Sequence, residues 1–283
     1  MKEGVYFVTG GTSGVGLSVI RGIANYGGRV FFAGHNRDRG LRVQNELRES
    51  TGNDRIEFLE ADLADMEDLH RLAEEVEHKT DRLHVLSYNA GIFSTKYSVN
   101  PQGIERTFAV NYLGFYALSV LLAPLLAASA PSRIISVSGG PGILRRIKLD
   151  LDRTRSESGY NGVIAAVQSA LAKVYCAFEL AAALKETGVT ANTYHPGLVR
   201  SGLGDHMPAP LRPFFNIANL FMSKTSQTGI YAATAQEVED VTGAFLAGSR
   251  VVPFENKKTT PEDVKKLIAL SAEQTGVPWK WKH

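Results

Sequence analysis

The run Thr9-Gly10-Gly11-Thr12-Ser13-Gly14-Val15-Gly16 constrains this chain more than any other stretch. It follows a short apolar segment at 5–9 and opens directly into an amphipathic one at 17–26, so it reads as the turn between a strand and a helix. Glycines let the backbone turn sharply and approach a ligand closely. The helix N-terminus adds unpaired N–H groups and the positive end of a dipole. Such a turn suits a pyrophosphate, although its spacing, G-x-x-x-G-x-G, is not the common G-x-G-x-x-G.

The rest of the chain repeats the alternation. Strand-like runs at 29–33, 56–60, 84–88, 133–137 and 189–194 alternate with helix-like segments at 39–49, 66–79, 103–127 and 163–186. The third of these helices is interrupted near Pro124. Strands separated by helices make a parallel sheet covered on both faces, and right-handed crossovers make a Rossmann-like, doubly wound α/β fold the expected topology. No repeat or Gly/Ser-rich linker divides the chain, so residues 1–283 are expected to form a single domain. Residues 201–228 hold Pro208, Pro210 and Pro213 beside Phe214, Phe215 and Phe221. They follow a strand end and read either as an apolar substrate lid or as a loop packed on the core.

Composition narrows the function classes. The 283 residues are 44% hydrophobic and 21% charged, with a formal net charge of +2. Those values exclude disordered, collagen-like and disulfide-scaffold chains and give no electrostatic footprint for nucleic acid. The one cysteine, Cys176, lies in an apolar stretch and reads as a packed core thiol, which suits a reducing compartment. The first strand begins almost at once, and the apolar stretch 117–130 contains Pro124 and is too short for a bilayer. The expectation is therefore a soluble, cytoplasmic protein that touches no membrane.

With these motifs in view, the chain resembles the short-chain dehydrogenase/reductase family, and within it the retinol-dehydrogenase-like branch. The family's T-G-x-x-x-G-x-G is present as Thr9, Gly10, Gly14 and Gly16. Asp62-Leu63 matches its adenine-contacting aspartate, Asn89-Ala90-Gly91 its N-A-G motif, Asn111 its helical asparagine and Pro196-Gly197 its P-G turn. The resemblance implies that these residues, with Thr12, Ser13 and Val15 of the turn, bind a nicotinamide dinucleotide. The second strand ends Ala33-Gly34-His35-Asn36-Arg37, with no acidic residue to accept from the adenosine ribose or repel a 2′-phosphate. His35 and Arg37 therefore point to NADP(H), with arginines on a solvated helix start as the competing reading.

The same alignment exposes a departure. The family's chemistry is carried by a serine, a tyrosine and a lysine. The corresponding positions fall on Gly139, Ala166 and Ala170, with Ser138 one residue early and pointing elsewhere. Only Asn111 of the catalytic four remains. A positioned general acid is worth about 10²–10⁴ in rate, so ordinary carbonyl reduction needs a replacement. Tyr160 and His195 are the candidates for that role, each with a duller alternative as a loop tyrosine or a common flanking histidine. Lys173 lies nearly one turn beyond Ala170 and either stretches back to a ribose or snorkels to the surface. Tyr112 reads as core packing, and Tyr97 and His206 fall in loops around the site.

These residues lead to the expectation of a non-redox enzyme acting on an apolar small molecule: a cyclase, isomerase, dehydratase or cycloaddition catalyst. Two alternatives stand beside it. One is an NADPH-dependent oxidoreductase with a relocated proton donor. The other is a non-catalytic dinucleotide-binding protein or partner subunit. The resemblance also implies pairing of two copies through the alanine-rich helix at 163–186. No metal-ligand spacing is present.

Overall fold

The computed structural model describes residues 3–152, 157–199, 223 and 225–281. β1 (Val5–Thr9) leads through the glycine turn to α1 (Gly14–Asn25), then β2 (Arg29–Gly34) and α2 (Arg37–Thr51). β3 (Ile56–Glu60), α3 (Met66–Lys79) and β4 (Val85–Tyr88) follow. Next come α4 (Arg106–Phe108), a π-helical turn (Ala109–Leu113), α5 (Gly114–Leu121) and α6 (Ala123–Ala128). β5 (Ser132–Val137), α7 (Pro141–Leu144), α8 (Gly162–Ala183) and β6 (Val189–His195) complete the expected pattern. The chain ends in the helix Gln227–Thr234, β7 (Phe245–Ala247), β8 (Val251–Val252) and the helix Pro261–Thr275.

Among the described residues, eight strands lie in one sheet of order β3-β2-β1-β4-β5-β6-β7-β8. Every pairing is parallel except β7 with β8. The order reverses between β1 and β4, and a ligand crevice opens at such a reversal, outside the strands' C-terminal ends. Thr9 pairs with both Ala33 and Tyr88, so the three strands end nearly level beneath the glycine turn.

Two cores follow from the period-two alternation of the strands. Phe7, Phe31 and Ile134 pack with Leu69, Phe115, Leu171 and Cys176 under α3, α5 and α8. Tyr6, Val8, Val30 and Phe32 pack with Val19, Ile23, Val43 and Leu47 under α1 and α2. Cys176 is fully buried, and burial pushes its thiol pKa up, as expected of a core thiol. Tyr112 is likewise buried, with its hydroxyl 2.6 Å from Ser271 Oγ.

The expected doubly wound fold is present, with differences in detail. The helix expected at 103–127 starts at Arg106 and is interrupted near Pro124 as expected, with α5 stopping at Leu121 and Pro124 in the first turn of α6. There its missing N–H breaks no bond. The π turn was not foreseen, because one extra residue in a helical turn leaves no compositional mark. β7 and β8 are three and two residues long, too short to display an alternation. The last helix did carry a signal, Thr260 followed by Pro261 and Asp263, and it starts with a capping box. Of the expected lid at 201–228, residues 201–222 and 224 lie outside the described residues, as does His206.

Candidate active site

The glycine turn has the shape of a cradle. Gly10 and Gly14 have φ of +65° and +55°, which L side chains rarely adopt. A Cβ on Gly16 would lie 2.3 Å from the carbonyl oxygen of Gly10, so the first turn of α1 can sit this close to the strand end only with glycine. Ser13 caps α1, yet its side chain makes no capping hydrogen bond, and the first turn holds no acidic residue. By contrast α3 begins with Glu67 and Asp68. The N–H groups around Ser13, Gly14, Val15 and Gly16 thus remain available to an anion, and the residues present fit a dinucleotide pyrophosphate. Thr12 stands beside the end of β2, where a Cβ on Gly34 would meet its Cγ2 at 3.1 Å.

Not every expected contact faces a ligand. Thr9 is fully buried, and its hydroxyl oxygen accepts from the N–H groups of Asn89 and Ala90, both at 3.2 Å. Its place is beneath the cradle, tying β1 to the segment after β4, so the reading of Thr9 as a ligand contact is corrected. Asn89 donates to Ser87 and accepts from the Tyr194 hydroxyl, which joins β4 to β6. Both carboxylate oxygens of Asp62 are engaged, one by Arg106 at 2.6 Å and one by the N–H of Ala64 at 3.0 Å. Asp62 thereby braces the loop after β3 against α4, and Leu63 beside it is buried. Gly91 is exposed at the cleft.

At the end of β2 the side chains face solvent. His35 is exposed, and Arg37 forms a 3.3 Å ion pair with Glu60 while its side chain stays 70% accessible. An ion pair that open is worth little and can be exchanged for a ligand.

The π turn positions Asn111. Its Oδ1 accepts from the N–H of Ile92 at 2.7 Å, and its Nδ2 donates to the carbonyl of Ile92 at 3.0 Å and to Ser169 Oγ at 3.3 Å. The asparagine therefore locks the segment after β4 to α8. On α8, Ala166 and Ala170 are half-buried and carry no polar atom. Gly139 is not forced by crowding, since a Cβ there would meet only Leu144 at an ordinary 3.7 Å. Ser138 donates to the carbonyl of Ala170 at 2.9 Å, so its hydroxyl hydrogen is already in use.

Three candidate replacements are placed very differently. The Tyr160 hydroxyl donates to Glu105 Oε1 at 2.9 Å and lies 3.2 Å from Thr107 Oγ1, with its ring edge-on to Tyr97. Burial pushes this phenol up to about 12, and the Glu105 carboxylate, itself capping α4, holds it there. Tyr160 is thus committed to Glu105, which corrects the expectation that it serves as the proton donor. His195 ends β6 beside the P-G turn, with Cε1 facing Gly140, and Gly197 of that turn has φ of +78°. Its Nδ1 is sealed from solvent with no hydrogen-bond partner among the described residues. Lys173 is only 4% exposed, and burial alone brings its amine down to about 7. Of the two readings of Lys173, snorkelling to the surface is excluded by this burial.

Comparison with known proteins agrees with this geometry. A family model described as short chain dehydrogenase matches residues 4–150. Retinol dehydrogenase 14 of Mus musculus is 32% identical over 286 residues, covering 95% of this chain and 85% of that protein. Polyprenol dehydrogenase of Homo sapiens is 32% identical over 283 residues, covering 96% and 85%. Among solved structures, an uncharacterised protein from Mycobacterium Paratuberculosis superposes with a TM-score of 0.72 at 23% identity, covering 97% of this chain and 95% of that one. A short chain dehydrogenase from Escherichia coli CFT073 complexed with NADPH gives 0.65 at 21%, covering 86% and 95%. The expectation of a cytoplasmic protein does not survive these findings. The relatives are named for retinol and polyprenol; α8, at 22 residues, is long and apolar enough to cross a membrane by length and composition, with 61% of that stretch buried inside the fold as a core helix is.

Proposed function

The chain belongs to the short-chain dehydrogenase family, and on that premise we propose that it binds NADP(H) and passes hydride between it and an apolar alcohol or carbonyl compound, using a proton donor other than a tyrosine on α8. The observation that carries the reading is the cradle: positive φ at Gly10 and Gly14, a Gly16 that admits no Cβ and an uncapped, acid-free start to α1. The absence of a carboxylate at the end of β2, with Arg37 accessible, supports NADP(H) over NAD(H). An apolar substrate is supported by the relatives, since retinol and polyprenol are both alcohols on long hydrocarbon chains.

When bound, the dinucleotide supplies or accepts the hydride. The residues of this chain do the rest. Gly10 to Gly16 hold the pyrophosphate, and Asn111 fixes the segment after β4 against α8. His35 and Arg37 meet the 2′-phosphate. Titration calorimetry with NADPH and NADH, joined to a turnover assay on apolar aldehydes and alcohols, tests the reading. Binding of NADPH in preference to NADH, with turnover, is expected; no dinucleotide binding would sink it.

A second reading rests on a specific observation: Gly139, Ala166 and Ala170 offer no titratable atom. A non-redox cyclisation, isomerisation or dehydration would need none at those positions, and the site would act by holding a reactive shape and excluding water. Its mark would be product formed without consumption of NADPH.

A further inference from the structure

We infer that Lys173 is the catalytic residue that exchanges the proton in this site, taking over from the side chains absent at Ala166 and Ala170. The inference rests on the hydride-transfer reading above and deepens it.

Position is the first argument. Residues 166, 170 and 173 are spaced i, i+4 and i+7, so they share one face of α8. The helix connects two parallel strands and therefore runs antiparallel to them. Its N-terminal end lies at the strand ends where the cradle opens, and Lys173 lies one turn deeper than Ala170. Long helical side chains lean back toward the helix N-terminus, over the preceding turn. From Lys173 that direction leads toward the space that two alanines leave open.

The surroundings of the amine are the second. Lys173 has no hydrogen-bond or ion partner among the described residues, and desolvation is the sole influence on its ionisation. A lysine held inside the fold without a partner has its hydrogen-bonding capacity unspent, and that capacity is what a substrate oxygen would use.

The sheet beneath it is the third. The bond from Ser138 to the carbonyl of Ala170 fixes the relative depth of β5 and α8. Two residues down the strand, about 7 Å, and three down the helix, about 4.5 Å, bring Ser136 and Lys173 to neighbouring levels. Ser136 and its strand partner Thr193 are fully buried, with their hydroxyls 3.4 Å apart. Those hydroxyls are neutral, and among the described residues no carboxylate acts on the amine to hold it charged. Burial brings it down to about 7, where it can give and regain a proton at neutral pH.

In the reducing direction Lys173 gives its ammonium proton to the substrate oxygen. That oxygen takes the electron pair of the breaking C=O double bond as hydride reaches the carbon. The reduced dinucleotide is oxidised, the carbonyl becomes an alcohol, and the neutral amine recovers a proton from solvent. Oxidation of an alcohol runs the same steps in reverse.

The test has a spectroscopic arm and a kinetic arm. In the apo protein labelled with ¹³C at lysine Cε, the resonance absent from Lys173→Met should titrate near pH 7 and shift when NADPH is added. A midpoint in the ordinary lysine range, or no response to NADPH, overturns the inference. In turnover, Lys173→Met should lower kcat by about 10²-fold or more. It should also remove the neutral-pH ionisation from the kcat profile, with little change in NADPH affinity. Lys173→Arg, which stays charged, should not restore the profile. Unchanged kcat and pH profile in Lys173→Met would overturn the role of the lysine while leaving dinucleotide binding and turnover intact. Loss of NADPH binding by the unaltered protein would instead defeat the functional reading beneath it. If Lys173→Met fails to fold, the resonance of the unaltered protein is assigned with Lys173→Gln and decides alone.

Discussion

Ser138 donates its hydroxyl hydrogen to the main-chain carbonyl of Ala170 at 2.9 Å, clamping the end of β5 to α8. Ser138 is therefore a structural donor. The clamp fixes Ala170, which carries no polar side-chain atom, at the level of the strand end. Replacing Ser138 by Ala should lower stability by about 1 kcal/mol and leave the substrate KM unchanged, as denaturant titration and steady-state kinetics can check. A large fall in kcat with no loss of stability would mean that the hydroxyl meets substrate.

Gly16→Ala is a sharper perturbation. The new methyl would stand 2.3 Å from the Gly10 carbonyl, so the cradle must open to admit it. Affinity for NADPH should fall by at least about tenfold, equivalent to about 1.4 kcal/mol, in calorimetry. Unchanged affinity would place the dinucleotide elsewhere.

Arg37 tests the choice of dinucleotide. Its ion pair with Glu60 is exposed and weak, so Arg37→Ala should hardly alter stability. A charge-assisted contact to a 2′-phosphate is worth about 1.5–3 kcal/mol, so NADPH binding should weaken by about tenfold or more while NADH binding stays level. Equal weakening of both would show that Arg37 does not read the phosphate.

Tyr160→Phe removes a donor from Glu105, which is only 3% exposed. Leaving that carboxylate short of a partner should destabilise the fold by about 1–3 kcal/mol in denaturant titration. The phenol is pushed up to about 12 and stays protonated at neutral pH, so the pH profile of turnover should not move.

The interior lysine also makes stability depend on pH. An unfolded lysine keeps its proton up to about 10.5, whereas the folded one releases it at about 7. Between those values the unfolded chain binds a proton that the native state lacks, so stability rises with pH across the window. Below pH 7 the buried amine is charged and its full penalty applies. Lys173→Met should flatten that rise and raise the denaturation midpoint most at low pH; parallel curves for the two proteins would contradict it.

The sequence alone determined what depends on neighbours along the chain. The strand, glycine turn and helix from Val5 to Asn25 were legible because backbone freedom at Gly10 and Gly14 and apolar periodicity are local properties. The alternation that follows carried the doubly wound sheet for the same reason. The tertiary structure decided which polar atoms remain available. Thr9, Asp62 and Tyr160 looked like ligand or reaction contacts, yet each is engaged by a partner far along the chain: Asn89 and Ala90, Arg106, and Glu105. For Lys173 the sequence left a reach to a ribose and a snorkelling surface role open, and only the packing of α8 on the sheet shows it buried. Burial and hydrogen-bond pairing arise between segments that meet only on folding, so no local pattern could announce them.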